Sequence, residues 1–276
     1  MFGNYLAHVK TYAPLIHNIT NYVTINDVAN ILLACGSRPI MSDDPVDIEE
    51  ITTACSGLNL NLGMLSPRKL ESMLLAGKKA RRLGHTIVLD PVGVGASTFR
   101  QEAAHQIIRE VKPDAIRGNL SEIRMLAFKY KGNNGVDADA ADIIDENNAD
   151  EIVRFVIQTA ARLNCIIAVT GTIDFVSDGT DCFLIHNGRP EMSKVTGTGC
   201  QLSALMTAFL AAKPDQKLKA AAAAVCAMGL AGEIAWDHMA PSDGNATYRN
   251  RIIDAVYTMS EETLNREARF EIYGGI

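Results

Sequence analysis

The chain has 276 residues, of which 47% are hydrophobic and 21% are charged. Intrinsic disorder over the whole length is excluded, because disordered chains combine low hydrophobicity with high net charge. The 26 Lys and Arg residues against 32 Asp and Glu residues give a net charge of −6. Non-specific nucleic-acid binding needs a basic surface, so no nucleic-acid partner is expected. A chain of this length buries about three quarters of its surface and needs no disulfide or metal to form a core.

The amino-terminal segment has no basic stretch followed by an apolar run, so it does not have the pattern of a signal peptide. The longest uncharged stretch, Val195–Ala212, contains Thr, Gly, Gln and Ser, and predicts a buried helix rather than a membrane span. The six cysteines have no CxxC spacing, since even the closest pair, Cys165 and Cys182, is widely separated. Mostly apolar neighbours indicate buried, reduced thiols. We therefore expect a cytoplasmic protein with no membrane partner.

Short runs rich in apolar and β-branched residues alternate with helical patterns along the chain. Several runs, such as Thr86–Asp90, are continuously apolar, which is typical of strands in a parallel sheet covered on both faces. We predict an α/β fold: a single domain over residues 1–276 with a central, mostly parallel sheet covered by helices on both faces. The predicted strands are Arg38–Met41, Gly57–Gly63, Thr86–Asp90, Asp114–Arg117, Ile166–Gly171, Ile173–Ser177 and Cys182–His186.

The helix with the clearest boundaries is predicted over Ser66–Leu83. Ser66 is a typical N-cap, Pro67 occupies the first helical position, and Gly84 follows the last turn. Gly77 falls on the apolar stripe of this helix, where it weakens helix formation by about 1 kcal/mol relative to Ala. A glycine at that place predicts close backbone packing against a neighbouring element.

Further helices follow from the same patterns. One is predicted over Thr98–Val111, two buried helices within Gly199–Trp236 with a break at Lys213–Lys219, and one charged amphipathic helix over Arg249–Arg269. The acidic stretch Lys131–Asp150 lacks the glycine and glutamate positions of an EF-hand loop, so we predict a solvated surface loop with a short helix.

Two glycine-rich turns stand out, Asp90–Ser97 directly after a strand and Val195–Cys200 directly before a helix. Neither matches the P-loop or the dinucleotide-binding GxGxxG pattern. The second turn has the features of an anion site, because its glycines let a ligand approach the backbone and the helix adds its positive amino-terminal end. The alternative is a tight turn with no ligand. The backbone N–H groups available there belong to Gly197, Thr198, Gly199 and Cys200.

Charged residues stand at the ends of two predicted strands. Asp90 lies at the carboxyl end of a buried strand, where open α/β sheets bind ligands and where a carboxylate holds Mg²⁺ directly or through water. The alternative is that Asp90 only caps the following turn. Arg117 offers a cation for phosphate groups, and Glu122 places a carboxylate at the start of the next helix. Together these residues predict a site for phosphoryl transfer.

Seven short segments carry a resemblance through their combination and order, although none is specific alone. They are His17–Val23, Pro39–Ser42, Asn61–Gly63, Asp90–Ser97, Arg117–Ile123, Val169–Gly171 and Val195–Cys200. This arrangement resembles the hydroxyethylthiazole kinase family of thiamine salvage, over roughly residues 14–236. The resemblance implies a ribokinase-like fold and a homotrimer. It also implies transfer of the γ-phosphoryl group of ATP to the hydroxyl of 4-methyl-5-(2-hydroxyethyl)thiazole, with Mg²⁺.

The resemblance also assigns residues to the thiazole alcohol. This substrate is small and mostly neutral, so a largely apolar pocket with few polar groups suits it. The implied contacts with the thiazole come from Met41 and Gly197, and the implied pocket lining from Asn21 and Val23.

The nucleotide side of the site is assigned in the same way. The resemblance implies that Arg117 and Thr170 bind ATP, and that Asp90 and Glu122 organise Mg²⁺ and the phosphates. It places the anion hole at Gly197–Cys200. These assignments agree with the chemistry expected of the same residues from their positions alone.

Cys200 is the candidate catalytic residue. The wider ribokinase-like group commonly carries at this position an Asp that takes the proton from the attacking hydroxyl. A helix amino terminus lowers the pKa of a thiol, whereas incoming phosphate charge raises it, so the sequence leaves the direction open. The alternative is that Cys200 only fills a small apolar space in the core.

Other functions fit parts of the pattern. A related kinase acting on hydroxymethylpyrimidine or pyridoxal is one alternative, but such relatives generally lack the segment His17–Asn21. A regulatory protein that holds a nucleotide without chemistry is a second alternative, against which the combination of Asp90, Arg117, Glu122 and Cys200 argues. A carbon–oxygen lyase on the same fold is a third. The family resemblance favours the thiazole kinase.

Overall fold

The computed structural model of the protein describes residues 1–127 and 148–274. The strands of this part of the chain are β1 (Leu15–Ile19), β2 (Arg38–Met41), β3 (Gly57–Asn61), β4 (Thr86–Asp90), β5 (Ala115–Asn119), β6 (Ile166–Thr170), β7 (Asp174–Ser177), β8 (Cys182–Ile185) and β9 (Phe270–Tyr273). They form one sheet in the order β2-β1-β3-β4-β5-β6-β7-β8-β9. The six strands from β2 to β6 in this order run parallel, and β7, β8 and β9 extend the sheet antiparallel.

Helices cover both faces of the sheet. In the described residues they are α1 (Gly3–Tyr12), α2 (Ile25–Ala34), α3 (Ile48–Ala54), α4 (Pro67–Leu83), α5 (Thr98–Val111), α6 (Leu120–Ala127), α7 (Ala149–Leu163), α8 (Thr198–Ala212), α9 (Lys217–Asp237), α10 (Asn245–Thr258) and α11 (Glu261–Glu267). One apolar core joins the sheet to α1, α2 and α8–α11, and a second joins it to α3–α7. The predicted fold class, a mostly parallel sheet between two helical layers, is confirmed.

The alternation of side chains along β4 decides which residues reach the site. Ile87 and Leu89 point into the core with α3–α7, whereas Val88 points into the core with α8 and α9. Asp90 follows the same alternation as Val88, because successive side chains of a strand point to opposite faces. The carboxylate therefore emerges under α8, at the carboxyl edge of the parallel strands.

The seven predicted strands are confirmed to within about two residues at each end, a common spread for element boundaries. Strands β1 and β9 were not predicted. In β1 the polar residues His17 and Asn18 interrupt the apolar pattern, yet both are buried. The His17 side chain hydrogen-bonds to Thr52 Oγ1 (3.1 Å) and the Ser42 carbonyl (3.0 Å), and burial lowers its pKa to about 4. His17 is therefore neutral and structural.

The prediction of one helix over Arg249–Arg269 is wrong. The segment contains α10 and α11, separated at Met259, whose backbone is extended. Ser260 then caps α11 by accepting a hydrogen bond from the Thr263 N–H group at 3.1 Å. Ser260 therefore starts a second helix. The amphipathic pattern of the sequence continues across the break between the two helices. Most of the predicted loop Lys131–Asp150 lies outside the described residues.

The predicted pair of buried helices is confirmed as α8 and α9. Within the described residues, α9 is long and apolar enough by composition to cross a membrane, but 78% of its apolar window is buried inside the protein. That burial is the property of a core helix packed on a sheet. All six cysteines lie in the described part of the chain, and all six are free.

We expect Gly77→Ala to destabilise the protein, although Ala is the better helix former. A Cβ atom at residue 77 would lie 2.5 Å and 2.6 Å from the two γ-carbons of Val111, which is fully buried at the end of α5. Overpacking of this kind costs about 1–3 kcal/mol, more than the propensity gain of about 1 kcal/mol. Urea unfolding measures the loss. The double variant Gly77→Ala/Val111→Ala relieves the contact, so the two changes should be strongly non-additive. A more stable single variant would contradict the close packing.

Candidate active site

Asp90 is a fully buried carboxylate at the end of β4. Its Oδ2 atom accepts hydrogen bonds from Asn61 Nδ2 and from Ser203 Oγ, each at 2.8 Å. Its Oδ1 atom is buried and has no hydrogen-bond partner among the described residues. Burial, the largest effect, raises the pKa of Asp90 to about 6, although the nearby Arg117 opposes this rise. Because an unpaired buried acceptor is costly, Oδ1 is a site prepared for a donor or a cation.

The sulfur of Cys200 is linked to the Asp90 carboxylate through the side chain of a single residue, Asn61. Cys200 Sγ accepts hydrogen bonds from Asn21 Nδ2 and Asn61 Nδ2, each at 3.3 Å. Asn61 therefore donates to both Cys200 and Asp90. Asn21 is oriented in turn, since its Oδ1 atom accepts from the N–H group and the hydroxyl of Thr24, each at 3.1 Å. Burial and the Asp90 charge raise the pKa of Cys200, so the free protein holds a neutral thiol.

Cys200 lies in the first turn of α8, which directly follows the N-cap residue Gly197. Gly197 has a φ of +92°, a conformation that favours glycine, and a Cβ atom there would lie 2.5 Å from Thr24 Cγ2. The Gln201 N–H group bonds back to the Gly197 carbonyl at 2.9 Å. The N–H groups of the preceding turn, Thr198 to Cys200, have no carbonyl within the helix to bond. This arrangement gives the predicted anion site its geometry.

Arg117 brings a second positive charge to the same place. Its guanidinium donates to Thr170 Oγ1 at 2.7 Å and lies 3.6 Å from Asp90 Oδ2. It also packs on Gly199, where a Cβ atom would lie 2.5 Å from Nη1. A glycine is therefore required at residue 199 for the guanidinium to reach the helix terminus. The two residues predicted to bind ATP, Arg117 and Thr170, are brought together directly.

A cavity of about 590 Å³ opens beside Arg117 and α8. Its lining is mixed. The polar lining includes Arg117, Thr170, Asp174 and Thr198, and the apolar lining includes Met192, Leu202, Val225 and Met228.

Both carboxylate oxygens of Glu122 already accept hydrogen bonds from backbone N–H groups, so this side chain is not free to bind a metal with all its lone pairs. Its Oε1 atom accepts from the Gly93 N–H group at 3.0 Å, and its Oε2 atom accepts from the Asn119 N–H group at 2.9 Å. Each oxygen keeps one lone pair, which suits a hydrogen bond to water. Among the described residues, no cluster of three or more His, Cys, Asp or Glu side chains could hold a metal alone.

The residues predicted to line the alcohol pocket are only partly brought together. Asn21 is buried and contacts Cys200, and Gly197 lies one turn before it. Met41, at the end of β2, is half-buried against the core under α8. The side chain of Val23 is 67% exposed, so it lines a pocket only where another surface covers it.

Sequence reasoning missed three contributors to the site. Asn61 and Ser203 hold the Asp90 carboxylate, and Asp174 lines the cavity while its Oδ1 atom accepts from the Gly171 N–H group at 2.9 Å. Burial raises the pKa of Asp174 to about 7. Asn61 pairs with Asp90 across the parallel strands β3 and β4, a register that the sequence alone does not reveal. Ser203 lies one helical turn after Cys200.

The sheet topology, with six parallel strands and three antiparallel strands between two helical layers, defines a protein of ribokinase-like fold. Pyridoxal kinase from Staphylococcus aureus shares the fold, with a TM-score of 0.58, 14% identity, and coverage of 95% of this chain and 98% of that one. The chain belongs to the hydroxyethylthiazole kinase family, whose sequence model matches residues 6–262. The predicted family is thereby confirmed.

Individual relatives agree over nearly the whole chain. Hydroxyethylthiazole kinase from Clostridium acetobutylicum is 48% identical over 273 residues, covering 99% of this chain and all of the relative. The same enzyme from Ruminiclostridium cellulolyticum is 43% identical over 264 residues, covering 96% of this chain and 94% of the relative. The solved structure of a hydroxyethylthiazole kinase protein from Pyrococcus horikoshii OT3 has a TM-score of 0.87 at 32% identity, covering 99% and 98% of the two chains.

We expect Cys200→Asp to fold and to keep or raise turnover. A carboxylate at residue 200 would find the two N–H donors of Asn21 and Asn61 that now face the sulfur, and it is a stronger base than a neutral thiol. The matched control is Cys226→Asp, because Cys226 is fully buried among apolar residues of α9. There an unpaired carboxylate costs several kcal/mol, about 2–7 by transfer data for a polar group. Turnover and melting temperature are measured for both. Two equally unfolded, inactive variants would show that Cys200 is a core residue.

Proposed function

We propose that this protein transfers the γ-phosphoryl group of ATP to the hydroxyl of 4-methyl-5-(2-hydroxyethyl)thiazole, as a thiamine-salvage enzyme. The observation that carries the proposal is the convergence of three groups at one point. The Arg117 guanidinium, the free N–H groups of α8 and the buried Asp90 carboxylate meet beside a cavity. Family membership adds the acceptor alcohol to this geometry.

A nucleotide fits the cavity with its phosphate groups beside Arg117 and the amino terminus of α8, because both favour negative charge. Its base then contacts apolar lining residues such as Leu202 and Met228. In this orientation the terminal phosphate points toward Cys200 and Asn21. The acceptor alcohol then binds on the Asn21 and Met41 side, so that its hydroxyl meets the phosphate at the start of α8.

A divalent cation, Mg²⁺, fits the oxygen donors of this site. Asp90 offers the unpaired Oδ1 atom, and Glu122 offers one lone pair on each oxygen to a cation-bound water. Mg²⁺ is commonly held by one or two carboxylates together with substrate phosphates and waters, and it neutralises phosphate charge during transfer. A cation beside Asp90 also favours its ionised form, against the burial that raises its pKa.

The protein contributes mainly position and charge to the transfer. Phosphoryl transfer passes through a loose transition state, so placing the two substrates in line matters more than removing the acceptor proton early. The neutral Cys200 thiol is consistent with such a mechanism, because it is a poor base. The first-turn N–H groups of α8 and Arg117 would stabilise the charge on the transferring group.

The test is ADP release across a panel of small alcohols, with and without Mg²⁺. We expect release with the thiazole alcohol, and not with pyridoxal or hydroxymethylpyrimidine. Asp90→Asn should lower turnover about 100-fold at saturating substrates, since it removes a charge from the transition state. The matched control is Asp114→Asn, a carboxylate at the opposite edge of the sheet bound by Arg81 and Lys217. An Asp90→Asn enzyme with normal turnover at limiting Mg²⁺ would contradict the metal assignment.

We further propose that the whole chain acts as one kinase domain and assembles as a cytoplasmic homotrimer. Exposed apolar side chains next to Asn21 support the trimer: Tyr22 is 57% exposed and Val23 is 67% exposed. A neighbouring subunit covering them would complete the alcohol pocket.

Sedimentation should give a trimer for the wild type, and Val23→Glu should shift it toward smaller species and raise the KM for the alcohol. Introducing a charge into a buried subunit contact is unfavourable. Tyr257→Glu is the control, since Tyr257 is 70% exposed on α10. A fully active monomer would refute the trimer.

A further inference from the structure

The loop between β8 and α8 forms one side of the cavity. Residues 187–193 of this loop, here called the wall loop, contribute most of that side through Asn187, Gly188, Met192 and Ser193. Gly188 has a φ of +127°, a backbone conformation that favours glycine. The position of this loop relative to the cavity depends on its contacts with the rest of the protein.

The strongest of those contacts come from Glu233, on α9. Its Oε1 atom accepts from the Gly188 N–H group at 2.6 Å, and its Oε2 atom accepts from Asn187 Nδ2 at 3.3 Å. The Arg269 guanidinium donates to the same two oxygens, at 2.6 Å and 3.1 Å. Each oxygen therefore accepts twice, and the carboxylate has no capacity left for a ligand.

Arg269, the residue before β9, holds the loop from its other side. Its N–H group donates to Asn187 Oδ1 at 2.8 Å, and its guanidinium donates to the His186 carbonyl at 3.0 Å. The His186 N–H group bonds back to the Arg269 carbonyl at 2.9 Å. Both the oxygen and the nitrogen of the Asn187 side-chain amide are therefore hydrogen-bonded, which fixes the first residue of the wall loop.

The wall loop also lies directly on the backbone of α9. A Cβ atom at Gly229 would be 2.5 Å from the Asn187 carbonyl oxygen and 2.6 Å from its carbonyl carbon. The neighbouring Gly232 contacts the Met192 side chain in the same way. The distance between loop and helix is therefore set by two glycines and by the ion pair of Glu233 with Arg269.

We propose that Glu233 and Arg269 are positioning residues for the nucleotide: they hold the wall loop at the spacing that the base and ribose require. Neither side chain lines the cavity, so both act through Asn187 and Gly188. This inference rests on the proposed function, because it takes ATP as the occupant of the cavity. According to this inference, Arg269, next to β9, affects the affinity for the nucleotide without contacting it.

The test compares Glu233→Ala, Glu233→Gln and Asp243→Asn by calorimetric titration with ATP in the absence of any alcohol. We expect Glu233→Ala to weaken ATP affinity and raise the KM for ATP about tenfold or more, as loosened supports of a binding site do. Its kcat at saturating ATP and its KM for the alcohol should stay near wild type. Glu233→Gln keeps one acceptor for the Gly188 N–H group and should lie between Glu233→Ala and wild type.

Asp243→Asn is the matched control. It breaks an ion pair of 3.2 Å with Arg251 whose carboxylate is 19% exposed, against 16% for Glu233, and neither partner lines the cavity. It should leave ATP affinity unchanged. If Glu233→Ala does not fold, Arg269→Ala removes the other partner of the same ion pair, does not line the cavity either, and should weaken ATP binding likewise.

Unchanged ATP affinity in the folded Glu233 or Arg269 variants would overturn the inference, as would an equal rise in KM for ATP and alcohol. Failure of the proposed function has a different signature. It would appear in the wild type as ATP binding without ADP release when the thiazole alcohol is added. The binding titration still decides the role of Glu233 in that case.

Discussion

The architecture of the site depends on keeping one negative charge, that of Asp90, in a fully buried position. A carboxylate out of water is unfavourable unless donors and cations compensate it. Two neutral donors, Asn61 and Ser203, and the nearby Arg117 provide that compensation in the free protein. The compensation is incomplete, because one oxygen stays unpaired. The same residues that stabilise the buried Asp90 carboxylate thus leave one of its oxygens available for the cation that we propose.

The small residues around α8 follow from the same crowding. Arg117 reaches the helix terminus only because residue 199 has no side chain, and Thr24 contacts the turn only because residue 197 has none. The amide of Asn61 serves the thiol and the carboxylate together. Both the nitrogen and the oxygen of this buried amide therefore have hydrogen-bond partners, which is the condition for burying it. The contacts that shape the candidate site also pack the core around α8. Substitutions at these positions should therefore change stability and turnover together.

The sequence was sufficient for the fold class because strands such as Thr86–Asp90 are apolar on both faces and the helix boundaries carry strong capping signals. It was insufficient for β1, where His17 and Asn18 break the pattern, and for β9, which is short and largely exposed. The proximity of the candidate site residues Asp90 and Arg117 could be predicted, because topology alone brings the ends of neighbouring parallel strands together. The partnership of Asn61 with Asp90 depends on strand register, and the wall loop depends on Glu233 and Arg269, which are distant in sequence. No local pattern encodes such contacts.

The antiparallel edge of the sheet has a consequence for how the chain assembles. Strand β8 is apolar and fully buried, yet its outer partner β9 comes from far along the chain, with Ile185 paired to Phe270. Until α8 to α11 have folded and β9 has paired with β8, the outer edge of β8 has unpaired backbone groups. Strands of other molecules can pair with such an edge. The pairing of β9 with β8 therefore protects this edge of the sheet against pairing with strands of other molecules. Conditions that detach it should promote aggregation before they unfold the parallel core.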